Sequence, residues 1–156
     1  MRFIQKRLRL PAVAEGFHLI TDLLLAELPE LESLRVGTAN FCIQHTSASL
    51  FITENADPTV RHDFQEYFRR LAPDNAPYFQ HTLEGPDDMT AHLKAAMLGS
   101  TVTVPIADGR LLLGTWQGLC LGEHRRHGGR RWVVACLLYT SPSPRDLSTS
   151  RMPSSA

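Results

Sequence analysis

The apolar positions along the chain change period several times. Residues 2–10 alternate, with Ile4, Leu8 and Leu10 on one side and Gln5, Arg7 and Arg9 on the other, which predicts a strand with one wet face. Beyond Pro11 and Gly16, Phe17, Ile20, Leu24 and Leu28 recur at helical spacing and predict a helix over 17–28, closed by Pro29. The apolar runs 34–43 and 49–53 read as strands joined through Gln44-His45-Thr46-Ser47-Ala48. Asp57-Pro58 is an N-cap with proline at the first helical position. It opens a helix to about Arg70, in which Val60, Phe64 and Phe68 fall every four residues. Residues 71–86, with three prolines, read as loop. Asp87 or Asp88 then caps a short helix to Leu98, stopped by Gly99. Thereafter the runs TVTVPI, RLLLGTWQ, GLCLGEH and RRWVVA are β-like, separated by the hairpin-turn signals Asp108-Gly109 and Gly128-Gly129. Strands and helices mix without a repeating βαβ unit, so the expected class is α+β: one compact domain, a mixed β-sheet or sandwich with about three helices.

Composition narrows the function classes. A single domain near 156 residues removes roughly 70% of its unfolded surface from water, and 43% hydrophobic residues supply a core without disulfides or a structural metal. The 16 basic and 16 acidic side chains cancel, so no positive field favours nucleic acid. Three cysteines, Cys42, Cys120 and Cys136, have no CxxC spacing, which argues against a disulfide framework and for a reducing compartment. No apolar run reaches the roughly 18–20 residues of a membrane span, and the N-terminus lacks a signal-peptide core. The expectation is a soluble cytoplasmic protein.

The end of the chain differs from the rest. Residues 136–156 carry six serines and three prolines and lose apolar periodicity after Tyr139. CLLYTSPSPRD and SRMPSSA also resemble, in one reading frame, two pieces of a translated sequencing-library adapter. The expected domain is therefore 1–135, with 136–156 a non-native tail that is mostly disordered after Tyr139. Without Arg145, Arg151 and Asp146 the charges become 14 basic and 15 acidic.

Three places carry candidate chemistry. In residues 81–92, Asp88 and His92 lie four apart on one helix face, while His81, Glu84 and Asp87 sit on the approach loop. Imidazole nitrogens with carboxylates suit Zn²⁺ or another first-row divalent ion, or general acid–base work; alternatively, the aspartates only cap and the histidines are ordinary surface residues. His45, flanked by Thr46, Ser47 and Ser49 at a strand end, is a rigidly held ligand or base, or a polar turn. Trp116, between Gly114 and Gly118, is a stacking wall or core, and Glu123 beside Arg125 is an active-site acid with a phosphate-binding arginine or an exposed ion pair. Arg125, Arg126, Arg130 and Arg131 form the only positive cluster, either a solvated hairpin tip or a site of anionic-substrate capture. Asp57 needs no role beyond its cap, and Asn55 fits turn chemistry. No nucleotide-loop, zincin or EF-hand motif is present.

Five ordered blocks carry a family likeness: His-Thr-Ser-Ala-Ser (45–49), Glu-Asn-Ala-Asp-Pro (54–58), the 81–94 stretch from His81 to Lys94, Gly109–Gly118, and Glu-x-Arg (123–125). Together they resemble the YjbQ-like family, also described as of secondary thiamine-phosphate synthase type. The resemblance implies a homotrimer with sites near subunit interfaces and a divalent metal, Zn or Mg/Mn. It also implies a transferase joining hydroxymethylpyrimidine diphosphate to thiazole phosphate. On that likeness His45, His81 and His92 would be the metal ligands, and Glu84, Asp88 and Glu123 the nearby or acid–base carboxylates. Arg125 and Lys94 would neutralise phosphate on a phosphorylated small-molecule substrate, and Trp116 would wall the ring. A metal-dependent hydrolase of a small substrate and a non-catalytic trimeric binding module are the alternatives.

Overall fold

The computed structural model describes residues 1–140. The strands are β1 (Arg2–Arg9), β2 (Gly16–Leu19), β3 (Val36–Ile43), β4 (Ala48–Glu54), β5 (Thr101–Ala107), β6 (Arg110–Leu111), β7 (Gln117–Glu123) and β8 (Trp132–Tyr139). The helices are α1 (Thr21–Ala26), α2 (Pro58–Leu71) and α3 (Asp88–Leu98), with a 3₁₀ turn over Pro29–Ser33. Five strands form one sheet in the order β1-β8-β3-β5-β6, and three form a second in the order β2-β7-β4, with every pairing antiparallel. The expected α+β class, with three helices over a sheet sandwich, is the observed one.

Side-chain alternation explains the layers. Leu8, Phe41, Ile43, Leu50, Leu121, Val133 and Leu137 belong to one buried cluster to which both sheets contribute. On the other face of the small sheet, Phe17 and Cys120 join Phe68 of α2, with Phe51 and Phe64 packed against them. Phe17 sits edge-on to Phe51 at 5.8 Å and tilted to Phe64 at 5.5 Å, as quadrupolar rings prefer. The small sheet is thus covered on both faces, which is why β7 is buried from Gly118 to Glu123 without alternation. No helix among the described residues is long and apolar enough to cross a membrane.

Three expectations change. The helix expected over 17–28 begins only at Thr21; Gly16–Leu19 is a strand paired with Cys120–Glu123 of β7. Phe17 meets the aromatic cluster while Ile20 enters the main core, and the pairing available from β7 outweighs a helical spacing that four residues cannot sustain. RLLLGTWQ is not a strand of its own: only Arg110–Leu111 pairs with β5, before the chain leaves that sheet to enter the other at Gln117. Gly128-Gly129 does not turn a hairpin, because β7 and β8 belong to different sheets. The final strand is completed beyond Ala135. Cys136–Tyr139 continue β8, with Leu137 opposite both Ile4 of β1 and Ala39 of β3 and fully buried. The looseness expected beyond Tyr139 concerns residues 141–156, which lie outside the described residues.

Candidate metal centre

α3 begins where the 71–87 loop ends, and this junction assembles the site. Asp88, the first residue of α3, has one carboxylate oxygen facing two imidazoles: Oδ2 lies 2.7 Å from His81 Nε2 and 3.0 Å from His92 Nε2. The helical i, i+4 spacing brings in His92, and the loop folding back over the helix end brings in His81. One donor atom from each of His81, Asp88 and His92 lies within 4.8 Å of the others. Asp88 is buried; His81 and His92 are partly open to solvent.

The second Asp88 oxygen is held by a cation. Arg125 Nη1 donates to Oδ1 at 2.6 Å, while Nη2 donates to the Glu84 carbonyl at 2.8 Å. Burial pushes the Asp88 carboxyl up, but the His81 hydrogen bond and the His92 and Arg125 charges outweigh it and keep its pKa below the ordinary carboxylate value. Asp87 occupies the N-cap position of α3, but its side chain accepts no capping hydrogen bond. Its Oδ2 accepts the Arg126 backbone N–H at 2.9 Å and sits 3.3 Å from Arg125 Nε. Against the opposing effect of burial, these contacts lower its pKa as well. The Asp87-Asp88 doublet therefore fixes the Arg125–Arg126 segment against the helix.

His92 reveals its tautomer. Its Nδ1 lies 2.8 Å from the Thr46 carbonyl, which can only accept, so Nδ1 carries a proton. Nε2, facing the Asp88 carboxylate, then either bears a second proton or offers its lone pair to a cation. A ring N–H on a backbone carbonyl with the other nitrogen beside a carboxylate is the arrangement that orients metal-ligating histidines. Beside His92 opens a cavity of about 560 Å³, bounded by His45, Thr46, Ala48, Ala95, Ala96 and Ser100.

Several residues expected in the site serve elsewhere. His45 is outside the cluster: its Nε2 accepts the Trp132 backbone N–H at 2.7 Å, so that nitrogen is not free to bind a metal, although the ring borders the cavity. Burial, then the Arg131 charge, lowers its pKa. Glu123 is no acid–base group of the cluster; fully buried, it pairs with Arg131 at 2.6 and 2.8 Å. Gly128 is required beside it, since a Cβ there would lie 2.3 Å from Glu123 Oε1. Glu84 contributes its carbonyl, and its side chain is exposed. Trp116, 66% exposed, precedes the first residue of β7, whereas Glu123 is its last, about 20 Å away along a strand. Lys94 lies two residues beyond His92, about 200° round the helix, and faces away from the cluster.

The four arginines of the basic cluster are each engaged within the chain. Arg125 positions Asp88, Arg126 pairs with Asp74, Arg130 donates to the Arg9 and Leu10 carbonyls, and Arg131 neutralises Glu123. Sequence reasoning weighed Asp87 only as a cap or loop ligand and missed Arg131 as the partner of Glu123. The Asp-Asp doublet ahead of two arginines was the available signal for the first; nothing in the sequence marks the second.

The family model for UPF0047 protein YjbQ-like matches residues 6–138. UPF0047 protein YjbQ of Escherichia coli O157:H7 is 50% identical over 133 residues, covering 85% of this chain and 96% of that protein. Its namesake in Salmonella typhimurium is 47% identical over the same shares. Among solved structures, the conserved hypothetical protein TT1486 of Thermus thermophilus superposes with a TM-score of 0.72 at 36% identity, over 85% of this chain and 98% of that one. A Sulfolobus solfataricus protein described as of unknown function (SSO2532) gives a TM-score of 0.77 at 20% identity, over 89% and 99%, a likeness of fold alone. These names carry no reaction. The expectation of a thiamine-phosphate-forming transferase is corrected accordingly, and the names support neither the hydrolase nor the binding-module alternative. On the extent of the model match and the identity to its relatives, this chain belongs to the UPF0047 family of YjbQ-like proteins.

Proposed function

We propose that this chain is a divalent-metal protein, in which His81 Nε2, Asp88 Oδ2 and His92 Nε2 hold a zinc-class ion beside the 560 Å³ cavity. The observation that carries the reading is the Thr46 carbonyl on His92 Nδ1, which leaves Nε2 directed at Asp88. Two imidazoles and one carboxylate suit borderline cations such as Zn²⁺, and three protein ligands are the set that leaves a coordination position for water or a small ligand. Bound there, such an ion would act as a Lewis acid and lower the pKa of a coordinated water, which supports reading the chain as an enzyme. This chain's own part is to orient the donors: Thr46 fixes the His92 ring, and Arg125 holds Asp88 Oδ1 so that Oδ2 faces inward. The small side chains Ala48, Ala95 and Ala96 leave room for a compact small-molecule ligand, with His45 as a polar contact at its edge. Three unpaired cysteine thiols support a reducing, cytoplasmic setting. Phe3, exposed on the edge strand β1, supports self-association through that face, which the resemblance implies to be trimeric.

Metal analysis tests the reading. Chain stripped with a chelator and dialysed against Zn²⁺ is expected to retain about one ion per molecule. Asp88→Asn and His92→Ala should retain almost none, whereas His45→Ala should retain the ion. Equal retention by all of these variants would overturn the assignment.

A further inference from the structure

On the side of α3 away from the metal centre is a second cleft, of about 240 Å³, whose charged lining is Glu15, Arg69, Asp74, Lys94 and Arg126. Lys94 and Thr90 lie one helical turn apart, and the Thr90 hydroxyl donates to the Ala72 carbonyl, so this face of α3 closes against the end of α2 and the turn that follows it. Lys94 is only 4% exposed, and among the described residues it makes no hydrogen bond or ion pair.

The other charges do not neutralise it. Asp74 is taken by Arg126. Glu15 accepts from Gln65 Nε2 at 3.0 Å and lies 3.8 Å from Arg126 Nε and 3.9 Å from Arg69 Nε. Arg69 also lies 3.8 Å from Glu66, so each arginine has a carboxylate partner, whereas Lys94, the deepest of the three cations, makes a direct bond to none. An anion that enters the cleft would meet Lys94 at its floor and two half-exposed guanidinium groups at its rim.

We propose that this cleft is a binding site for a small oxyanion, a carboxylate or a phosphate group, received by Lys94 with Arg69 and Arg126. It is separate from the metal centre, and neither reading depends on the other. Arg125, which the resemblance also assigns to phosphate, lies on the other side of α3, bound to Asp88.

Isothermal titration of the full chain with inorganic phosphate, and separately with acetate, tests the site. Saturable binding of either is expected. Phosphate alone would identify a phosphoryl group as the preferred ligand, and acetate binding would extend the site to carboxylates. Lys94→Met keeps the apolar stem and should weaken binding by about tenfold or more. Arg69→Gln, on the exposed face of α2, should weaken it by a few-fold and stands in if the lysine variant does not fold. His92→Ala, which dismantles the metal centre, should bind the anion as the parent does. The proposal is overturned if neither anion binds saturably, if Lys94→Met and Arg69→Gln bind unchanged, or if His92→Ala abolishes binding.

Discussion

Individual residues here are decided by what they must satisfy once buried. Glu123 and Arg131 are both almost wholly out of water, and the guanidinium also donates to the Ser47 carbonyl at 3.2 Å. Such a pair adds little net stability over an apolar pair, but removing one member strands a charge at a cost of about 3–5 kcal/mol. Glu123→Ala should therefore lower the free energy of unfolding by that order in a denaturant titration, and Gly128→Ala should perturb the same pair because its Cβ has no room. His124 is the second case. Burial, then the positive charges of Lys94 and Arg131, lowers its pKa from 6.5 to about 3, and its Nε2 is bonded to Ser49 Oγ at 2.8 Å. The unfolded chain therefore binds a proton at a pH where the folded chain does not. The contribution of His124 is present above pH 6.5 and is lost as pH falls toward 3. His45, also lowered, acts with the same sign. Asp87 and Asp88 lie below their ordinary value of 3.8 and Glu30 below 4.5, so their contributions are lost at lower pH, and the loss between pH 6.5 and 5 belongs to the histidines. A His124→Gln variant should show a flatter stability profile across that interval, measured by thermal unfolding; an unchanged slope would remove His124 as the cause.

Elements follow their neighbours more than their own periodicity. α2 was legible because its signals agree: Asp57 caps it through the Thr59 N–H at 2.9 Å, Pro58 begins it, and Phe64 and Phe68 share the face that packs on the small sheet. Residues 17–20 misled because their apolar spacing fits a helix, while the partner that makes them a strand lies about a hundred residues further on. β8 is the other instructive element. Its second half, from Cys136, belongs to the stretch that resembles a translated adapter and fills in the strand by its apolar character. Leu137 fills the core between β1 and β3 with no exposure at all. Leu137→Ala should cost about 2–5 kcal/mol, the range for emptying a buried leucine site. Truncation after Ala135 removes four paired residues from the middle of a five-stranded sheet and should abolish cooperative unfolding, followed by circular dichroism. A truncated chain as stable as the parent would show those residues to be dispensable.

At the scale of the whole molecule, the order of the sheets places the sites. The 44–47 segment crosses from one sheet to the other between β3 and β4, which carries Thr46 to the side of α3 that bears His92. The segment after β7 crosses back, and on the way it delivers Arg125 to Asp88 on one side of α3 and Arg126 to Asp74 near the other. One helix thus separates the His81-Asp88-His92 cluster from a cationic cleft.

The amino-acid sequence by itself determined the α+β class, the extents of α2 and α3, and the pairing of Asp88 with His92. Each of these depends on residues a few positions apart, where periodicity and capping act directly. Only the tertiary structure decided that His81 joins that pair while His45 does not, that Glu123 is a buried counter-ion, and that Lys94 faces a different cleft from Arg125. Those outcomes depend on which strand lies in which sheet. That choice is fixed by burying two apolar faces of the small sheet at once, and no local spacing records it.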